Sequence, residues 1–124
     1  MALSNERELV RRPCVGCLRE LQALNQLQRY PFLYWACPPD FGKQAPHIAR
    51  KLKLDGYSKG NFDMTIIAAN EEVVKVWLIE FKYGKNKYTP EQQAIADACE
   101  ATPVQAYTIY SVDEFQTFLE ENLK

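Results

Sequence analysis

A chain of 124 residues with 47% hydrophobic and 25% charged side chains has room for one core and not for two. No apolar run reaches the length of a membrane span, and residues 1–13 lack the apolar centre of a signal peptide, so the expectation is a soluble, cytoplasmic protein with no membrane partner. The net charge of −1 argues against a nucleic-acid partner until its distribution is read. From Lys43 to Tyr88 there are nine Lys/Arg against five Asp/Glu, and from Thr89 to Lys124 one against seven. A locally positive face binds a polyanion despite a neutral total.

The first helix is predicted from about Cys14 to Arg29, with Leu18, Leu21, Leu24 and Leu27 as its apolar stripe and Glu20 beside that stripe. Cys14-Val15-Gly16-Cys17 forms a C-x-x-C, which suits half a zinc site or a redox pair. A structural zinc site wants a second close pair, and Cys37 and Cys99 stand alone, which favours reduced, structural thiols. Tyr30-Pro31 ends the helix, and Phe32 to Ala36 reads as a short strand or buried extended segment. Cys37 to Gly42 is a loop.

Gln44 to Leu54 reads as a short helix carrying Arg50, Lys51 and Lys53, with Lys43 just before it. Asp55 to Asn61 is a Gly-containing approach bearing Lys59. Such a segment is either a solvated helix and turn, or a flank whose cations contact phosphates while Gly permits close approach.

Asp63 to Ala69 and Val76 to Lys82 read as strands joined by a turn over Asn70 to Val73. Side chains alternate along a strand, so Glu80 and Lys82 share one face while Ile79 and Phe81 bury into the other. Pairing Ala69 with Val74 sets Thr65 opposite Leu78 and Asp63 opposite Glu80. Opposed side chains have Cβ atoms about 4.5–5.5 Å apart. Two carboxylates at that distance repel, and a divalent cation relieves the repulsion. A slip of one residue would send Asp63 to the other face.

The loop Tyr83 to Tyr88 adds Lys85 and Lys87. Thr89-Pro90-Glu91-Gln92 then starts a helix running to about Cys99, with Thr89 as cap, Pro90 in the first position and Gln92 as capping-box partner. Gln92 acts as that partner or projects from the first turn toward the site, two roles competing for one side chain. Val104 to Ile109 is the last strand. Ser111 to Glu114 is a capping box opening a final helix with a stripe of Val112, Phe115, Phe118 and Leu119. The element order predicts an α/β fold, a mixed central β-sheet flanked by helices.

Lys51-Leu52-Lys53, Gly56, Lys59-Gly60, Asp63, then Ile79-Glu80-Phe81-Lys82 and Gly84 to Gln92 resemble the virus-type replication-repair nuclease (VRR-NUC) family of the PD-(D/E)xK superfamily. The resemblance spans most of the chain, from about Trp35 to the last helix. It implies one restriction-endonuclease-like domain over residues 1–124, similar to small standalone phage and bacterial members, and an Mg²⁺- or Mn²⁺-dependent DNA endonuclease. For standalone members it also implies a homodimer that cuts branched DNA such as four-way (Holliday) junctions. On it, Asp63 and Glu80 match the metal-binding carboxylates, assisted by the Phe81 carbonyl. Lys82 matches the motif lysine and Gln92 the glutamine that follows. Glu20, or failing that Glu8, matches the acid of the first helix. Phe62 stands where the family has proline, which is no ligand, so activity is expected to survive. Lys43, Arg50, Lys51, Lys53, Lys59, Lys85 and Lys87 are expected to hold the DNA backbone. The remaining alternative is a nuclease fold that binds DNA without cutting it.

Overall fold

The computed structural model describes residues 5–38, 46–56 and 60–124. A π-helical turn (Arg7–Arg11) runs directly into α1 (Arg12–Ala23), followed by β1 (Phe32–Ala36), α2 (Pro46–Leu54), β2 (Met64–Ala69) and β3 (Val74–Phe81). Then come α3 (Pro90–Cys99), β4 (Gln105–Ile109) and α4 (Val112–Asn122). The four strands form one mixed sheet in the order β1-β2-β3-β4. The first three are antiparallel, and β4 runs parallel to β3 across the α3 connection. Among the described residues no helix is long and apolar enough to cross a membrane.

The alternation written into β2 and β3 decides which face carries the core. Met64, Ile66 and Ala68 alternate with half-exposed neighbours, and Trp77, Ile79 and Phe81 line up beside them on the same face. On that face lie Val10, Cys14 and Leu18 from the first helical segment and Phe115, Phe118, Leu119 and Leu123 from the last. Phe118 stands edge-on to Trp77 and stacks on Phe115, which in turn meets Phe81 edge-on. α3 serves the opposite face, where its Gln92 reaches Glu80. The far part of that face leaves Phe32, Tyr34 and Val74 more than half exposed.

The first helix departs from expectation at both ends. It begins earlier, through the π-helical turn, and stops at Ala23, because Asn25 takes a left-handed backbone with φ 56°. Leu24 is therefore exposed, and the buried stripe is Val10, Cys14 and Leu18 rather than one continuing to Leu27, which packs on the core from the loop. The four cysteines are free thiols. Cys14 is fully buried, and that burial pushes its thiol up to about 12, which makes it a core side chain and a poor thiolate.

The turn between β2 and β3 is pinned by Asn70, whose side-chain oxygen accepts the backbone N–H groups of Glu72 and Val73. That turn fixes the register: Ala69 pairs with Val74 and Thr65 with Leu78, as the strand pattern predicts.

Candidate active site

Met64 is the first residue of β2 and pairs with Ile79, so Asp63 arrives one position further on, beside Glu80. The two acids interlock through backbone donors. The Asp63 N–H donates to Glu80 Oε1 at 3.1 Å, and the Phe81 N–H donates to Asp63 Oδ2 at 2.9 Å. Both groups of an extended residue leave a strand on the same side, so the Phe81 carbonyl also faces Asp63. The next residue turns to the other edge, where the Lys82 N–H donates to the Ile109 carbonyl.

Lys82 curls back over the same face as Glu80. Its Nζ lies 3.1 Å from Glu80 Oε2 and 3.3 Å from Gln92 Oε1. Gln92 completes the cluster from the first turn of α3, its Nε2 donating to Glu80 Oε2 at 2.7 Å. The two roles expected of Gln92 do not compete. Its Oε1 accepts the Thr89 N–H at 3.1 Å as the capping box requires, and the amide nitrogen is left for Glu80. The cap is what aims the side chain. Gly60, at φ 86°, lets the chain pass close to this turn, since a Cβ there would sit 2.9 Å from Glu91 Cβ.

Glu80 and Gln92 are buried, at 5% and 6% exposure. Burial, and then the neighbouring Glu80 charge, raise the Asp63 carboxyl to about 7, against the opposing Phe81 N–H and Arg11 guanidinium. Repulsion from the Glu80 carboxylate is thus part of what keeps a proton on Asp63 near neutral pH. A hard divalent cation is the chemical group that removes this repulsion. The donor set fits it: two facing carboxylates and a backbone carbonyl, all oxygen. Among the described residues no group of three or more His, Cys, Asp or Glu side chains is placed to hold a metal ion. The fit therefore rests on one or two carboxylates with water completing the shell.

Arg11 belongs to the site although no motif points to it. It is 8% exposed, and its guanidinium lies 3.2 Å from the Asp63 carbonyl and 3.5 Å from Asp63 Oδ1. It also reaches the half-buried Cys37 thiol, which burial pushes up and Arg11 draws back down. Arg11 closes the π-helical turn, a widened helical geometry that recurs at functional sites. The signal for it is the burial face of the amino-terminal helix, which becomes visible only once that helix is extended to Val10.

Glu20 is exposed and lies two residues beyond the buried Leu18, about 200° round the helix, so it faces away from Asp63. Glu8 is exposed as well. The acid of this segment whose charge bears on Asp63 is Glu6, which precedes the buried Val10 by four residues. Tyr88, pushed up by burial, lies against Thr108 and within reach of the Glu80 charge. Its ring meets the buried Phe62 edge-on at 5.5 Å.

Of the expected DNA-contacting cations, Arg50, Lys51 and Lys53 are carried by α2, where Lys51 and Lys53 are exposed, and Lys85 and Lys87 are exposed on the loop before α3. Lys43 and Lys59 lie outside the described residues. That loop is tied down by Tyr110, whose hydroxyl donates to the Asn86 carbonyl. No family model, curated protein or solved structure matches the chain.

Proposed function

We propose that the protein is a metal-dependent, structure-selective DNA endonuclease with a PD-(D/E)xK core, acting on branched DNA such as four-way junctions as a homodimer. The observation that carries the reading is the convergence of Asp63, Glu80, Lys82 and Gln92 at the open end of the β2–β3 ribbon. A buried acid pair beside a lysine is costly as structure alone, and hydrolysis of a phosphodiester is chemistry that uses it.

An Mg²⁺ or Mn²⁺ ion held by Asp63, Glu80 and the Phe81 carbonyl would supply a bound water of lowered pKa and neutralise charge on the phosphate. Lys82, at the rim of the cluster, offers a cation where the phosphoryl oxygens gain charge. Gln92 holds Lys82 and Glu80 in one geometry, and Arg11 fixes Asp63 from the opposite side. Lys85 and Lys87, with Arg50, Lys51 and Lys53, contact phosphates without reading bases, which fits selectivity for DNA shape rather than sequence.

The deciding experiment incubates the protein with labelled linear, flap and four-way DNAs, with and without Mg²⁺ or Mn²⁺. Cleavage should need the metal, and Lys82→Ala should abolish it while DNA binding persists. Normal cutting by Lys82→Ala would overturn the assignment. A second reading, a DNA-binding protein that does not cut, is favoured by the arginine already paired with Asp63. It predicts salt-sensitive binding with no cleavage under either metal.

A further inference from the structure

A cavity of 720 Å³ opens between the amino-terminal helix and the end of β1, on the far side of Arg11 from the acid pair. Its volume lies in the ordinary range of ligand clefts and is much larger than one phosphate group needs. Among the described residues that line it, the charged ones are all arginines: Arg7, Arg11, Arg12 and Arg19. Arg12 and Arg19 stand seven residues apart on α1 with Gly16 between them, so they project along one side of the helix like two teeth of a comb.

The opposite wall carries Trp35, whose indole N–H donates to Gln22 at 2.9 Å and so fixes the ring. The Arg19 guanidinium lies over that ring, 5.2 Å from its centroid. A guanidinium held over an indole is positioned in advance and can offer its N–H groups to a ligand. Those groups match the oxygens of a phosphate two at a time. At Gly16 the groove floor is open: a Cβ there would meet nothing within 4 Å.

We infer that this groove is a binding site for a single nucleic-acid strand, with Arg12 and Arg19 on its phosphates and Trp35 beside a base. Three features point to a polymer rather than a lone anion. The arginines are spaced along a line, an aromatic ring faces them from the opposite wall, and the groove ends at Arg11, which touches Asp63 at 3.2 Å. A strand lying here would lead one arm of a junction up to the acid pair. Among the described residues, none of the lysines of α2 or of the loop before α3 lines this groove. The inference leans on the nuclease reading only for the strand's destination.

The test uses the full chain in EDTA, so that nothing is cut, with a short fluorescein-labelled single-stranded DNA and anisotropy readout from about 50 to 200 mM salt. The Arg12→Gln/Arg19→Gln pair should bind about tenfold more weakly or worse. The slope of log affinity on log salt should shrink by about 1.4, which is about 0.7 for each phosphate left without its arginine. Gly16→Glu, which has room for its side chain and replaces a helix glycine, should weaken binding with no loss of thermal stability. Trp77 is buried at 2% exposure, so quenching of tryptophan emission on binding should vanish in Trp35→Phe. Competition by inorganic phosphate or a mononucleotide as effective as an equal concentration of strand phosphates would overturn the polymer assignment. Wild-type binding by the arginine pair variant, with the defect confined to Lys51→Gln/Lys53→Gln, would overturn the groove. Arginine-dependent binding without cleavage under any metal would sink the nuclease reading and leave the groove standing; cleavage with arginine-independent binding would do the reverse.

Discussion

Replacing Asp63 by asparagine removes a charge and almost no volume, so it relieves both the burial of that charge and its repulsion with Glu80. The Asp63 carboxyl is raised from 3.8 to about 7, by burial first and Glu80 second. In the unfolded chain it titrates near 4. Below about pH 4 the group is protonated in both states and contributes nothing. As pH rises from about 4 to 7 the unfolded chain gives up its proton while the folded chain keeps it, so stability falls with pH, and above about 7 the full penalty applies. A shift of about three units corresponds to roughly 4 kcal/mol as a ceiling, and local relaxation brings the expected penalty to about 2–4 kcal/mol. Urea denaturation in EDTA should therefore find Asp63→Asn and wild type equally stable at pH 4, and the variant more stable by about 2–4 kcal/mol at pH 8. Mg²⁺ at a hundredfold excess over its dissociation constant should then stabilise the wild type by about 2.7 kcal/mol and leave the variant unchanged. A variant no more stable than wild type at pH 8 would refute the picture of two repelling buried acids, and with it the electrostatic reason for a cation there.

Other substitutions separate roles that share a side chain. Thr89→Ala removes the α3 cap alone and should cost about 1 kcal/mol in chemical denaturation, whereas Gln92→Ala also leaves Glu80 buried without its amide donor and should cost about 2–4 kcal/mol and most of the cleavage rate. Gly60→Ala meets both a positive φ and Glu91 at 2.9 Å, so it should lower the melting temperature and, by displacing the start of α3, lower cleavage too. Phe115→Ala empties the space between Phe81 and Phe118 and should destabilise by about 3–5 kcal/mol without changing metal dependence. A thiol reagent should modify Cys17 and Cys37 in the native protein far faster than the buried Cys14, which would react only on unfolding.

The strand register was legible because it is a matter of counting. Asn70 closes the turn, apolar residues alternate on both sides of it, and a side-chain period of two then forces Asp63 beside Glu80. The α3 start was legible for a similar reason: Thr89, Pro90 and Gln92 satisfy backbone donors within one turn, and local chemistry of that kind does not wait for the rest of the fold. The last helix shows the same with a small shift, since Ser111 caps Glu114 as expected while the Glu114 carboxylate accepts the Tyr110 N–H, one residue earlier than the box predicts.

What the chain could not announce locally is everything that comes from residues far apart in sequence. Arg11 and Asp63 are 52 positions apart, and only the packing of the amino-terminal helix against the sheet makes a buried ion pair of them. The same packing makes Glu6, rather than Glu20, the amino-terminal acid whose charge is felt at Asp63 and turns Arg12 and Arg19, two of several scattered surface arginines, into one wall of a groove facing Trp35. Periodicity and capping depend on neighbours within a turn or a hairpin, so the sequence alone determined them; charge partners depend on which helix face meets which strand end, and the tertiary structure decided that.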